Sequence, residues 1–275
     1  MCYSRSVRVL RLTLLLLVLG AALLALFVFF FQRRALYFPR RMTEESAFAE
    51  ASRLGLAPWR DGRGAIRGWR STSSGQPRAR VLVLHGNAGA ALDRTYYVQA
   101  LAPLGLDVVL LEYPGYGPRA GFPSLDSLTT AAVEAVDDLA MEGAPVWLVG
   151  ESLGSGVAAR AASERPDVVH GILLVTPYAD LATVARHHFP FLPAFLLRDR
   201  FVPVRDLAAF RGPIAVIVAG RDEVVTVSEG RRLFAALSGP KRLFEQPEAT
   251  HNGLDLSPHL PLWEEAVRFL EMKRR

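Results

Sequence analysis

Five short runs of mostly aliphatic residues recur along the chain: VLVLHG from Val81, DVVLLEYPGYG from Asp107, PVWLVGES from Pro145, GILLVTPYAD from Gly171 and PIAVIVAGRDEVV from Pro213. Successive positions in each are apolar, so an extended segment would bury both faces, as parallel strands do when helices cover them on either side. Helical patterns fill the gaps, over 92–104, 125–141, 153–164, 228–237 and 261–272. Strand and helix alternating in this way predict a doubly wound α/β sheet, mostly parallel, with helices on both faces. IRGWR from Ile66 adds an early edge strand and KRLFE from Lys241 a last short one. In such sheets function gathers at the carboxyl ends of the strands. Those ends carry His85, Glu112, Ser152, Asp180 and Asp222.

Ahead of this pattern lies LTLLLLVLGAALLALFVFFF, residues 12–31, without a single charge. Twenty helical residues cross a hydrocarbon layer about 30 Å thick at roughly 1.5 Å each. The run exceeds the 7–15 residues of a secretory signal core, and cleavage after Gly20-Ala21-Ala22 would leave LLALFVFFF at a mature end in water. An uncleaved single-pass transmembrane helix is therefore expected. Arg5, Arg8 and Arg11 precede it, and Arg33, Arg34, Arg40 and Arg41 follow, so the basic flanks set no orientation. QRRALYFPRRM, with Tyr37 and Phe38 among its arginines, suits a lipid surface. Part of the net charge of +5 resides there, and no nucleic-acid recognition motif accompanies it, so no nucleic-acid partner is expected. Cys2 is the single cysteine, which leaves no disulfide framework and no thiolate metal cluster.

VWLVGESLGSG, from Val146, ends an apolar run on Gly150-Glu151-Ser152-Leu153-Gly154. With 22 glycines in the chain, Gly-x-Ser-x-Gly arises readily by chance. Its context sharpens it, because a buried strand ends at Gly150 and a helix follows Ser152, as at a strained nucleophile corner. A serine hydroxyl needs a base within reach and an acid to orient that base. Asp222 follows the strand IAVIVAG, and His251 follows the last strand in EATHNG. Singly, Asp222 reads equally as a turn or cap carboxylate and His251 as a loop histidine; together with Ser152 they give the chain order Ser, Asp, His. Oxyanion donors are expected from the amides of Leu153, after the nucleophile, and Asn87, in HGNAG, with Ala88 the next choice. His85 is expected to fix that loop rather than move protons.

The interval 177–212 is longer than one crossover requires and contains HHFPFLPAFLLRDRFVP. It reads either as a helix with a proline-broken loop or as a cap, with Phe189, Phe191, Leu192, Phe195 and Leu196 lining an acyl-sized pocket. His187 and His188 lie within it, His170 precedes a strand and His259 opens the last helix region; none combines a strand-end loop with a position after the acid. His187, His188 and Asp199 match no zinc spacing.

HGNAG, EYPGYG, GESLGSG, GRDEVV and THNGL, in this order, resemble the α/β-hydrolase superfamily, and within it the single-pass membrane hydrolases among the eukaryotic α/β-hydrolase-domain proteins, some of which remove acyl chains from protein cysteines. The resemblance implies an α/β-hydrolase fold from about Leu36 to the end, with Ser152 as nucleophile, Asp222 as acid, His251 as base and Asn87 and Leu153 as oxyanion donors. Cys2 stands alone where the depalmitoylating members carry a cysteine cluster. The expected layout is a basic leader at 1–11, a transmembrane helix at 12–31, a juxtamembrane linker and approach region at 32–65, and a hydrolase domain at 66–275. The expected function is a membrane-anchored serine hydrolase that cleaves a small or lipid-like acyl ester or thioester without metal or organic cofactor. Its alternatives are a serine peptidase or amidase on the same fold and a noncatalytic membrane-tethered binding module.

Overall fold

The computed structural model describes residues 2–72, 75–190 and 193–272. Its centre is an eight-stranded sheet: β1 (Leu56–Arg60), β2 (Ile66–Ser71), β3 (Arg80–Leu84), β4 (Asp107–Leu111), β5 (Val146–Glu151), β6 (Val169–Val175), β7 (Ile214–Ala219) and β8 (Lys241–Gln246). The strands lie in the order β1-β2-β4-β3-β5-β6-β7-β8. Only β2 opposes its neighbours, pairing antiparallel with β1 and β4; the other pairs are parallel. The five apolar runs form β3 to β7, each inside the sheet, and 66–71 and 241–246 become strands as the sequence suggests. β1 falls within the segment read as linker. Its sequence LAPWR mixes a proline and an arginine with apolar residues, which suits the solvent-facing edge it occupies.

Side chains along the inner strands divide between two cores, because successive residues of a strand point to opposite faces. Leu82, Leu84, Val109, Leu111, Leu148 and Leu174 pack on one side with α4 (Leu125–Ala140), α5 (Leu153–Glu164) and α8 (Val227–Ala236). Val81, Val83, Val108, Leu110, Val149 and Leu173 face the other, under α2 (Glu44–Arg53), α3 (Thr95–Leu101) and α9 (Pro261–Leu270). Both faces are thereby closed, which is why these strands carry no polar alternation.

Two further segments bear on the site. Helix α1 (Cys2–Leu36) contains, over Leu10–Leu36, a span long and apolar enough to cross a membrane, and its most apolar stretch is not buried in the protein. Phe38–Pro39 then pairs in parallel with Ala88–Gly89 as a separate two-residue ladder. Between β6 and β7 the chain forms α6 (Leu181–His188), a short 3-10 turn (Ala194–Leu196) and α7 (Pro203–Asp206). Phe201, Leu207 and Phe210 of this interval are buried in the core beside α5, so its second half is part of the domain body.

Candidate active site

β5 ends at Glu151 and α5 begins at Leu153, leaving one residue, Ser152, to reverse the chain. Its backbone sits at φ 50 and ψ −116, a region costly for any residue with a Cβ, on the order of 1–3 kcal/mol. The surroundings impose it. Ser152 N–H donates to Val175 O at 2.9 Å, while Ser155 N–H and Oγ donate to Ser152 O at 2.9 and 2.6 Å. The flanking glycines allow the corner to be this sharp: a Cβ on Gly154 would overlap the carbonyl oxygen of Leu84 at the end of β3, and one on Gly150 would stand 2.8 Å from the backbone of Gly154 and Ser155.

The turn after β7 brings Asp222 and the loop after β8 brings His251 to the same place. His251 Nε2 lies 3.0 Å from Ser152 Oγ, and Nδ1 lies 2.7 Å from Asp222 Oδ2. A carboxylate only accepts, so Nδ1 carries the proton and Nε2 is left to accept from the serine hydroxyl. The other oxygen of Asp222 accepts Val224 and Val225 N–H at 2.9 and 2.7 Å, which fixes the carboxylate. His251 N–H reaches Glu223 Oε2 at 3.2 Å. The Asp222 and His251 side chains are both nearly buried, so this chain of hydrogen bonds is shielded from water.

The loop after β3 faces the same corner, with a Cβ on Gly86 falling 3.6 Å from Ser152 Cβ. Burial holds His85 neutral, its pKa pushed down to about 3, with the Arg94 charge adding to the effect. Its Nδ1 donates to Gly86 O at 2.8 Å. In a trans peptide the N–H points opposite to the C=O, so this bond fixes the plane that carries Asn87 N–H. That N–H has no protein acceptor among the described residues. Leu153 N–H, first in α5, has no intrahelical partner either. An amide without an acceptor can stabilise negative charge on an oxygen bound against it.

Other expectations resolve differently. Glu112 is buried at the end of β4, where it accepts Ala91 N–H at 3.1 Å and Trp69 Nε1–H at 3.3 Å; burial raises its pKa to about 7. Asp180 caps α6 through Ala182 N–H at 2.8 Å. Phe189 and Phe195 are 60% and 80% exposed, so they do not line a closed acyl pocket: Phe189 ends α6, and the turn that carries Phe195 is held to α1 by backbone and polar contacts instead of by that ring. Leu196 is half-buried there, its carbonyl accepting Gln32 Nε2–H at 2.8 Å. Phe191 and Leu192 lie outside the described residues. Asp199 pairs with Arg33 and Tyr37 and not with His187 or His188, and no group of three metal-ligating side chains forms among the described residues.

Sequence reasoning missed a cluster directly behind the serine. Glu151 accepts Arg94 Nε–H at 2.8 Å, Tyr97 O–H at 3.0 Å and the Tyr96 hydroxyl, and Arg94 Nη2 reaches on to Ala88 O at 3.2 Å. Glu151 is therefore tied through Arg94 to the loop that carries Asn87. A charged residue at the end of an otherwise apolar strand is the one sequence signal that pointed to it.

The family model described as serine aminopeptidase, S33, matches residues 75–203, a stretch that contains His85, Asn87 and Ser152. An uncharacterized protein of Mycobacterium tuberculosis is 35% identical over 254 residues, 89% of each chain. Lysophosphatidylserine lipase ABHD12 of Macaca fascicularis is 28% identical over 207 residues, 68% of this chain and 52% of that protein. The chain belongs to the α/β-hydrolase superfamily. Among solved α/β-hydrolase structures, the Pyrococcus furiosus esterase Pf2001 superposes with a TM-score of 0.65 at 17% identity, over 87% of this chain and 99% of that one. Est1E of Butyrivibrio proteoclasticus gives 0.60 at 18% identity, over 77% and 96%. As an α/β-hydrolase the protein is a hydrolase, and its strand order and serine corner follow the fold.

Proposed function

We propose that the protein is a membrane-anchored serine hydrolase that cleaves acyl esters or thioesters of lipid-like molecules. The observation that carries this reading is His251, placed between Ser152 at 3.0 Å and Asp222 at 2.7 Å. As Ser152 Oγ attacks the acyl carbonyl carbon, His251 Nε2 takes the hydroxyl proton and Asp222 stabilises the imidazolium. The carbonyl oxygen becomes an oxyanion on the Leu153 and Asn87 amides. The imidazolium then protonates the departing alcohol or thiol, and the C–O or C–S bond breaks to leave an acyl-Ser152. Water, deprotonated by His251, attacks that ester and releases the acid. The lysophosphatidylserine lipases, over the half of their length that this chain spans, favour a lipid-like substrate, and α1 favours attachment to the bilayer in which such substrates reside.

A panel of p-nitrophenyl esters of increasing acyl length tests the substrate class. The reading expects kcat/KM to rise with chain length before it levels off, and a flat response would contradict it. The S33 aminopeptidase match favours a second reading, peptide-bond hydrolysis. Cleavage of aminoacyl p-nitroanilides in preference to the esters would establish that reading.

A further inference from the structure

The residues that leave α1 do not run free to the domain. On one side they hold the interval before β7: Gln32 Nε2 donates to Leu196 O at 2.8 Å, Arg198 N–H returns to Gln32 Oε1 at 2.9 Å, and Arg33 binds Asp199 through Nε and Nη2 at 2.8 and 2.9 Å. Asp199 is buried, and it also accepts Tyr37 O–H and Leu125 N–H, each at 3.1 Å. On the other side they hold the loop after β3. Leu36 O accepts Asn87 Nδ2–H at 2.9 Å, Phe38 N–H donates to Asn87 O at 2.9 Å, and Arg40 N–H donates to Gly89 O at 2.7 Å. Arg33 and Leu36 are three positions apart on one helix and so share a face.

This matters because the start of the His85–Gly89 loop is fixed by the His85 ring, by Tyr113 O–H on His85 O at 3.2 Å and by Arg94 on Ala88 O, whereas the bonds to Asn87 and Gly89 come largely from residues 36–40. The segment after α1 holds Asn87 and Gly89 there, and Tyr116 O–H also donates to Asn87 O at 2.7 Å. We propose that residues 32–40 are a positioning element for the Asn87 oxyanion donor, so that the seating of α1 on Asp199 through Arg33 sets the turnover rate. The inference rests on the catalytic reading above, in which Asn87 N–H stabilises the oxyanion. A donor displaced by about 1 Å loses most of its worth in the transition state while leaving ground-state binding little changed.

Two variants of the full-length protein in one detergent test this: Asn87→Ala, which keeps the N–H but removes the tie to Leu36, and Arg33→Gln, which removes the helix's ion pair with Asp199 without touching the His85–Gly89 loop. Each is expected to lower kcat on a p-nitrophenyl ester by about tenfold or more with KM within about twofold, a loss confined to the transition state. Affinity for an alkyl trifluoromethyl ketone, whose serine adduct carries the oxyanion, falls by the same factor, while inhibition by a product fatty acid is unchanged. The double variant loses little more than the larger single loss, because both act on one device. If Asn87→Ala does not fold, Arg33→Gln carries the test alone. A kcat within twofold of wild type in the folded variants, or a lower kcat with unchanged ketone affinity, overturns the proposal while a fluorophosphonate still labels Ser152. Absence of that label from the wild-type protein removes the catalytic reading, and this inference with it.

Discussion

Ser152 and His251 lie 99 positions apart in the chain, yet the serine Oγ and the imidazole Nε2 stand 3.0 Å from each other. The approach depends on two different strand ends, β5 and β8, which lie three strands apart in the sheet. The loop after β8 must therefore fold back over β7 and β6, and Asp222, at the end of β7, is its point of attachment.

Asp222→Asn tests that attachment. The amide retains the shape of the carboxylate, but its NH2 can donate to Nδ1, which moves the imidazole proton to Nε2 and leaves no acceptor for the serine hydroxyl. The account expects kcat to fall by about 10³–10⁴ with KM little changed. Steady-state kinetics on a p-nitrophenyl ester check this, and a loss under tenfold would remove Asp222 from the mechanism.

The strained corner makes a prediction about stability. Both Ser152→Ala and Ser152→Gly remove the hydroxyl, but only glycine relieves the positive φ. Urea unfolding is expected to show Ser152→Gly more stable than Ser152→Ala by about 1 kcal/mol, the strain relieved less the extra chain entropy of glycine. Equal stability would mean that the corner stores no strain.

Much of this arrangement is legible in the sequence, for identifiable reasons. β3 to β7 are recognisable because burial on both faces removes polar residues from successive positions, Ser152 and Asp222 because each follows such a run, and His251 because it follows the last short strand and comes after the acid. β1 is not recognisable: an edge strand faces solvent, and LAPWR carries neither a continuous apolar run nor a clean alternation. The Glu151, Arg94, Tyr96 and Tyr97 cluster is hidden for another reason, since Glu151 is over fifty residues from its partners and only the parallel pairing of β3 with β5 brings the segment after β3 to the end of β5. The exposure of Phe189 and Phe195 is likewise a matter of tertiary packing, which hydrophobicity alone does not report.

Glu112 gives the protein a pH signature. Burial raises its pKa from 4.5 to about 7, so between these values the folded protein binds more proton than the unfolded chain. The slope of unfolding free energy with pH is negative there, and this contribution to stability is present below about pH 4.5 and lost as pH rises through 7. Glu112→Gln removes the titration while keeping an acceptor for Ala91 and Trp69. Relative to wild type, the variant is expected to gain on the order of 2–3 kcal/mol of stability between pH 5 and pH 8. Unfolding midpoints measured at both pH values check this, and a difference that does not change with pH would contradict it.

The central claim is that Ser152 is the atom acylated during turnover. Its most direct test is to treat the pure full-length protein with a fluorophosphonate, map the adduct by mass spectrometry, and measure kcat for Ser152→Ala. The account predicts a single adduct on Ser152, none in the variant, and a kcat lowered by about 10⁴ or more. An adduct on another residue, or wild-type turnover in Ser152→Ala, would contradict it.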